Sequence, residues 1–199
     1  MPLLSDRLLL IFIKNPIQGK VKTRLGKDLG HHQAVEIYKK LLEVTRLAAL
    51  GVNAARQLYY GDFINQEDNW SPQDFEKKLQ HGNDLGARMH EAFVKGFDEG
   101  YKKIVIIGSD CPEMDAQTLE EAFRKLEDHN VVIGPANDGG YYLLGLSQKV
   151  NIFENVDWST ESVFDQTLAQ VKKQGLSRAL LPEKTDLDTI DDLKKFPDL

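Results

Sequence analysis

Lys103-Ile104-Val105-Ile106-Ile107-Gly108-Ser109-Asp110-Cys111-Pro112 is the stretch that decides how this chain folds. Its four consecutive branched apolar residues, bracketed by charge and Gly, are too short a run for a helix. They read as a strand buried on both faces, which belongs in a parallel sheet with covered faces. Gly108 lets the backbone leave the sheet, Pro112 forbids its continuation, and Asp110 stands at the strand's carboxyl end. In open α/β sheets that edge is where ligands bind. A lone Asp after a strand also serves as a turn cap, so its meaning depends on what converges with it.

Working outward, a first buried strand is expected over Leu8–Ile13, ended by Lys14-Asn15-Pro16. Lys14, Lys20, Lys22, Arg24 and Lys27 then place five cations within fourteen residues, threaded around Pro16, Gly19 and Gly26. After a first strand, such a loop offers backbone N–H groups and cations to a phosphate chain, although neither G-x-G-x-x-G nor the P-loop pattern is present. Helical periodicity runs from His31 to Leu50, with Ala34, Tyr38, Leu41, Leu42, Thr45 and Ala48 on one face. His31 and His32 lack a third ligand nearby and read as surface residues. A second strand is expected over Ala54–Tyr60, followed by a polar stretch from Phe63 to Gly82. That stretch reads as a loop with one short helix, anchored by Trp70, Pro72 and Phe75.

Asp84 suits the N-cap of a helix reaching about Glu99, and its Asn83-Asp84-Leu85-Gly86 opening falls near the ligand edge; Asp115 caps the helix after the central strand. A fourth strand, Val131–Ile133, leads into Asp138-Gly139-Gly140, which turn chemistry alone favours as a hairpin. Functionally, Asp138 would contact a hydroxyl or metal and the glycines would let a ligand approach the backbone. Trp158-Ser159-Thr160-Glu161-Ser162 opens another helix, Leu180-Leu181 is a short strand, and Asp186-Leu187-Asp188-Thr189 precedes the last helix with Asp191 and Asp192 in its first turn. One helix needs one cap, so the Asp186/Asp188 pair calls for a further explanation.

Composition narrows the class. With 25 Lys and Arg against 31 Asp and Glu, the net charge of −6 disfavours nucleic acid and anionic lipid as partners. At 199 residues the chain suits a single domain spanning 1–199. The apolar run within Met1–Ile13, broken by Asp6 and Arg7, is too short for a secretion signal or a membrane span. The single cysteine, Cys111, forms no internal disulfide and reads as a small buried residue rather than a nucleophile. These features together suit the cytoplasm.

Strand and helix alternate, so the ordering predicts a mostly parallel α/β sheet flanked by helices, with Asp110, Asp138 and the Asp186/Asp188 pair on the same edge as the cationic loop. Hard carboxylate oxygens beside phosphate donors suit Mg²⁺ or Mn²⁺ shared between the protein and a nucleotide. Phe12 to Pro16 with Gly19-Lys20-Val21-Lys22-Thr23-Arg24-Leu25, Gly108 to Pro112, Asp138 to Gly145, Trp158-Ser159-Thr160 and Asp186 to Thr189 resemble the bacterial glycosyltransferase-like proteins of the nucleotide-diphospho-sugar transferase superfamily. They are similar, more remotely, to 2-phospholactate guanylyltransferase and the molybdenum-cofactor guanylyltransferases. The resemblance implies a single-domain, Rossmann-like glycosyltransferase A-type fold, with the nucleotide over the first half of the sheet and the acceptor over the second.

It also implies Asp110 as metal-binding aspartate, and Lys14, Gly19, Lys22, Thr23 and Arg24 in the phosphate loop. The Leu-Ala-Gly-Gly opening of sugar nucleotidyltransferases and a full Asp-X-Asp are absent. The second metal ligand must therefore come from elsewhere, with Asp188 the first choice and Asp186 or Asp138 the others; Asp110 and Asp138 are the catalytic candidates. The expected function is metal-dependent transfer of a glycosyl group from a nucleotide or nucleotide-sugar donor to a small acceptor. The alternatives are nucleotidyl transfer with release of pyrophosphate and a non-catalytic nucleotide-binding module.

Overall fold

The structure, a computed structural model, describes residues 5–199; part of the short apolar run read above within Met1–Ile13, residues 1–4, lies outside the described residues. Seven strands form one sheet: β1 (Arg7–Ile13), β2 (Ala55–Tyr60), β3 (Glu76–Leu79), β4 (Lys103–Ile107), β5 (Val131–Pro135), β6 (Tyr141–Leu146) and β7 (Arg178–Leu180). Their spatial order is β3-β2-β1-β4-β6-β5-β7. Every pairing is parallel except those of β6, which runs antiparallel between β4 and β5. Six strands therefore end at one edge of the sheet, and β6 starts there.

The continuous apolar runs follow from burial on both faces. Leu9, Ile11, Ile13, Val105 and Ile107 pack on one face under α2 (His31–Leu50) and α4 (Ala116–Lys125). Leu8, Leu10, Phe12, Ile104 and Ile106 pack on the other under α3 (Leu85–Asp98) and α5 (Val163–Lys173). The result is a three-layer α/β/α arrangement of the kind the alternating order implied. Asp84 caps α3 by accepting from the Ala87 N–H (2.8 Å), and Asp115 caps α4 by accepting from Thr118 N–H (2.7 Å). Two further helices among the described residues are α1 (Thr23–Leu29) and α6 (Ile190–Leu193). Among the described residues, no helix is long and apolar enough to cross a membrane.

Two local expectations are corrected. Residues 63–82 hold no helix; they carry β3, whose Glu76-Lys77-Lys78-Leu79 gives no apolar signal because it is an edge strand pairing only with β2. Charge on an edge of this kind discourages further pairing. Trp70 and Phe75 are the anchors of the preceding loop, packed edge to face at 4.8 Å, whereas Pro72 is exposed. The second correction concerns the cationic stretch, whose latter part is α1 rather than loop, so Thr23, Arg24 and Lys27 are helical.

The Asp138-Gly139-Gly140 turn is the hairpin between β5 and β6, and its glycines serve packing. Gly139 has φ +86°, and a Cβ there would lie 2.0 Å from the Glu161 carbonyl oxygen. The Phe164 N–H donates to the Gly139 carbonyl (2.9 Å), fastening the hairpin to α5. Gly139→Ala should therefore lower stability by roughly 2 kcal/mol or more, from the left-handed backbone and the clash together. Urea unfolding measures this directly, and an unchanged midpoint would contradict the packing.

Candidate functional site

A cleft of about 460 Å³ opens at the carboxyl edge, over β1, β4 and the start of β6. Lys14 follows β1, Gln80 follows β3, and Ser109 and Asp110 follow β4. Asp84, Leu85 and Arg88 from the first turn of α3 form one wall, and Asp186 reaches in from the segment before α6. A second cavity of about 440 Å³ lies between α2 and the loop after β2, where Lys39 pairs with Glu36 and Arg46 with Glu43 on α2 itself. The strand ends converge on the first cleft, which makes it the functional candidate.

Its floor is held by a few polar contacts. The buried Tyr38 hydroxyl of α2 accepts from the Lys14 N–H (2.9 Å) and lies 2.9 Å from Ser109 Oγ, joining the ends of β1 and β4. Burial, with the nearby Asp110 charge, raises the Tyr38 phenol well above its ordinary range, so it stays a neutral hydroxyl. Asn15, also buried, donates from Nδ2 to the Phe63 carbonyl (2.9 Å) and accepts at Oδ1 from the Asp62 and Phe63 N–H groups (3.3 and 3.2 Å), tying the loops after β1 and β2 together. Gln80 Nε2 donates to the Ile13 and Tyr59 carbonyls, both at 3.1 Å.

The acidic centre joins three parts of the chain. Leu187 N–H donates to the Asp110 carbonyl (2.9 Å), and Asp186 N–H donates to Asn137 Oδ1 (3.0 Å), so residues 186–187 are fastened beside the ends of β4 and β5. Burial pushes the Asp186 carboxyl up to about 7; the charge of Asp110 adds to this, Lys22 opposes it, and Asp138 and Asp188 contribute further. Lys22 Nζ sits 2.5 Å from Asp110 Oδ1 and donates to the Leu187 carbonyl at 2.5 Å. Cys111 is buried, and that burial pushes its thiol up to about 12, as expected of an inert packing residue.

Of the residues singled out from the sequence, Lys14 and Asp110 line the cleft, and Lys22 reaches it from beneath through Asp110. Gly19 lies in an exposed turn with φ +78°, and Thr23 is an exposed first residue of α1. Arg24 points away, pairing with Asp188 at 2.9 Å with its side chain 72% exposed. Asp188 is thus engaged by Arg24 and is absent from the cleft lining, where Asp186 stands instead. Asp138 is likewise outside the lining; its Oδ1 accepts from the Gly140 N–H (2.9 Å) within the hairpin turn. Neither Asp186 nor Asp188 caps α6, since Thr189 does so in a capping box with Asp192. His31 and His32 are exposed. Arg88 escaped the sequence reading, although its place one turn after the Asp84 cap was the signal available.

Arg24→Ala should cost less than about 1 kcal/mol, because an exposed ion pair is screened by water and salt. Thermal unfolding of the variant checks this, and a loss of several kcal/mol would show the Arg24–Asp188 contact to be structural.

A mostly parallel sheet with one antiparallel strand inserted beside the central strand, and a carboxylate-lined cleft over its carboxyl edge, defines a nucleotide-diphospho-sugar transferase-like α/β protein. The chain belongs to the bacterial family described as "Uncharacterized protein conserved in bacteria (DUF2064)", which residues 44–160 match. It is similar to a crystal structure from Desulfovibrio desulfuricans G20 described as a candidate nucleotide-diphospho-sugar transferase, at 31% identity over 96% of this chain and 85% of that one, with a TM-score of 0.88. Two more distant structures share the fold. One is the inositol-1-phosphate CTP transferase of T. maritima (11% identity, 94% of this chain and 91% of that one, TM-score 0.56). The other is Rv0371C of Mycobacterium tuberculosis H37Rv in complex with manganese (15% identity, 94% and 96% covered, TM-score 0.53). No curated protein matches the sequence.

Proposed function

We propose that the protein is a divalent-metal-dependent transferase that binds a nucleotide-diphospho-sugar in the cleft and moves the sugar to a small acceptor. The observation that carries this reading is the pairing of Asp186 with Asp110 in one cleft at the end of β4, with the Asp186 carboxyl raised to about 7. A carboxyl raised first by burial and then by the charge of a second carboxylate in the same cleft marks a place prepared for a cation.

The donor set fits Mg²⁺ or Mn²⁺ in particular. Among the described residues, no three His, Cys, Asp or Glu side chains converge closely enough to hold an ion unaided. One or two carboxylates, with the remaining ligands from substrate phosphate and water, is the usual arrangement for Mg²⁺. Asp110 and Asp186 would hold the ion, so the second ligand is Asp186 rather than Asp188. When bound, the metal neutralises charge developing on the departing phosphate oxygen.

The chain's own groups do the rest. Lys14 and Arg88 line the cleft with cationic side chains that meet the diphosphate. Tyr38 and Ser109 fix the ends of β1 and β4 so that these groups keep their spacing. Arg24 is turned outward and Lys22 is engaged, so fewer cations face the cleft than the sequence cluster suggested. That count suits a diphosphate-sugar better than a triphosphate, which supports glycosyl over nucleotidyl transfer. The acceptor would sit toward β6, near Tyr141 and Ser159.

A thermal-shift screen of diphospho-sugars, diphosphates and triphosphates, each with and without Mn²⁺, tests the reading. The matching donor at about a hundred times its dissociation constant should add ~2.7 kcal/mol, or roughly 5–10 °C for a chain of this size. A preference for a triphosphate would favour nucleotidyl transfer. No metal-dependent shift with any nucleotide would overturn the reading.

A further inference from the structure

Lys22 is unusual in two independent ways. Its side chain is 4% exposed, although the Asp110 carboxylate it pairs with is 39% exposed. Its backbone is left-handed at φ 46°, ψ 46°, a conformation costly to a residue with a Cβ. Its ammonium is spent on the acidic centre, on Asp110 Oδ1 and the Leu187 carbonyl, rather than on solvent. Arg24, two residues on, shows the contrast, since it pairs with Asp188 at the surface. The chain therefore accepts a strained backbone and a buried ammonium to put a positive charge on Asp110.

We propose that the Lys22 ammonium is the resident cation of the acidic centre, exchanged for the divalent metal when the cleft is loaded, so that Lys22 sets the cleft's metal affinity. The proposal rests on the metal reading given above. Neighbouring carboxylates without a counter-ion repel one another, and Lys22 Nζ, 2.5 Å from both Asp110 Oδ1 and the Leu187 carbonyl, fills that role. An ammonium and a divalent ion at full occupancy cannot share that carboxylate edge at such distances without strong repulsion. On loading, the ammonium leaves Asp110 and becomes a free phosphate donor, so metal and donor phosphate favour each other's binding. A purely structural cross-link, by contrast, would keep Lys22 in place whether or not metal is bound.

The test is calorimetric titration of Mn²⁺ alone into wild type, Lys22→Gln, Arg24→Ala and Asp110→Asn. Gln keeps a donor for the Leu187 carbonyl and removes the charge. Exchange predicts that Lys22→Gln binds Mn²⁺ at least tenfold more tightly than wild type, while Arg24→Ala, which removes an equal charge that does not touch Asp110, changes affinity less than twofold. Mn²⁺ affinity in Lys22→Gln that is unchanged or weakened overturns exchange.

A second measurement uses wild type alone, should the variant not fold. Amine acetylation read by mass spectrometry should spare Lys22 without Mn²⁺ and modify it in the Mn²⁺-saturated protein. Continued protection at saturation overturns the proposal. Wild-type Mn²⁺ binding that is lost in Asp110→Asn preserves the metal reading even if exchange fails; no Mn²⁺ binding by any of the four proteins removes both.

Discussion

Asp110→Asn should abolish metal-dependent stabilisation by the donor and lower the transfer rate by a factor of about 10³ or more, because losing a metal ligand withdraws several kcal/mol from the transition state. The fold should survive. What ties residue 110 to the neighbouring segment is its carbonyl, which accepts from the Leu187 N–H (2.9 Å), and the substitution leaves that bond intact. The Lys22 ammonium keeps the Leu187 carbonyl and has Asp186 close enough to lower its carboxyl pKa. Circular dichroism should therefore match wild type while thermal shift with Mn²⁺ and donor is lost. A variant that keeps its transfer rate would remove Asp110 from the metal.

Asp186→Asn should make the empty protein more stable, while likewise removing metal-dependent donor binding. In the folded chain the Asp186 carboxyl titrates near 7, against 3.8 as its ordinary value. Between those values the folded state keeps a proton that the unfolded chain has released, so stability falls as pH rises from about 4 to about 7 and is flat above. The deficit at pH 8 should be on the order of 2 kcal/mol, discounted because Asp186 lines a cleft open to water. Carboxylates whose values are lowered, such as Asp115 and Asp192, act the other way and lose stability on acidification. The difference between wild type and Asp186→Asn across pH 5–8 isolates the site. A wild-type curve parallel to that of Asp186→Asn would show that Asp186 carries no strain, and saturating Mn²⁺ should flatten the wild-type slope. A group that weakens the empty fold but is needed when loaded is typical of functional positions.

The sequence showed the frame of the fold because both faces of the sheet are buried, so Leu8–Ile13 and Ile104–Ile107 appear as unbroken apolar runs. The edge strand β3 stayed hidden for the converse reason: its side chains are charged and it borrows its hydrogen bonds from β2. Asp110 was legible at the site because a carboxylate directly follows the central strand. That Asp186 and not Asp188 lines the cleft was not, since two residues two apart point differently only once Leu187 has been docked on the Asp110 carbonyl. Local pattern cannot show that Arg24 captures Asp188 from α1, or that Glu161 fills the space the Gly139 turn seemed to leave for a ligand.

In the loaded protein Asp110 and Asp186 would jointly hold a divalent ion in the cleft. Anomalous diffraction from crystals soaked in Mn²⁺ with a diphospho-sugar measures this most directly. The account predicts one manganese peak within coordination distance of both carboxylates and of the donor's phosphate oxygens. A peak on Asp188 or Asp138 without Asp186, or donor bound in the cleft with no metal between it and Asp110, would contradict it.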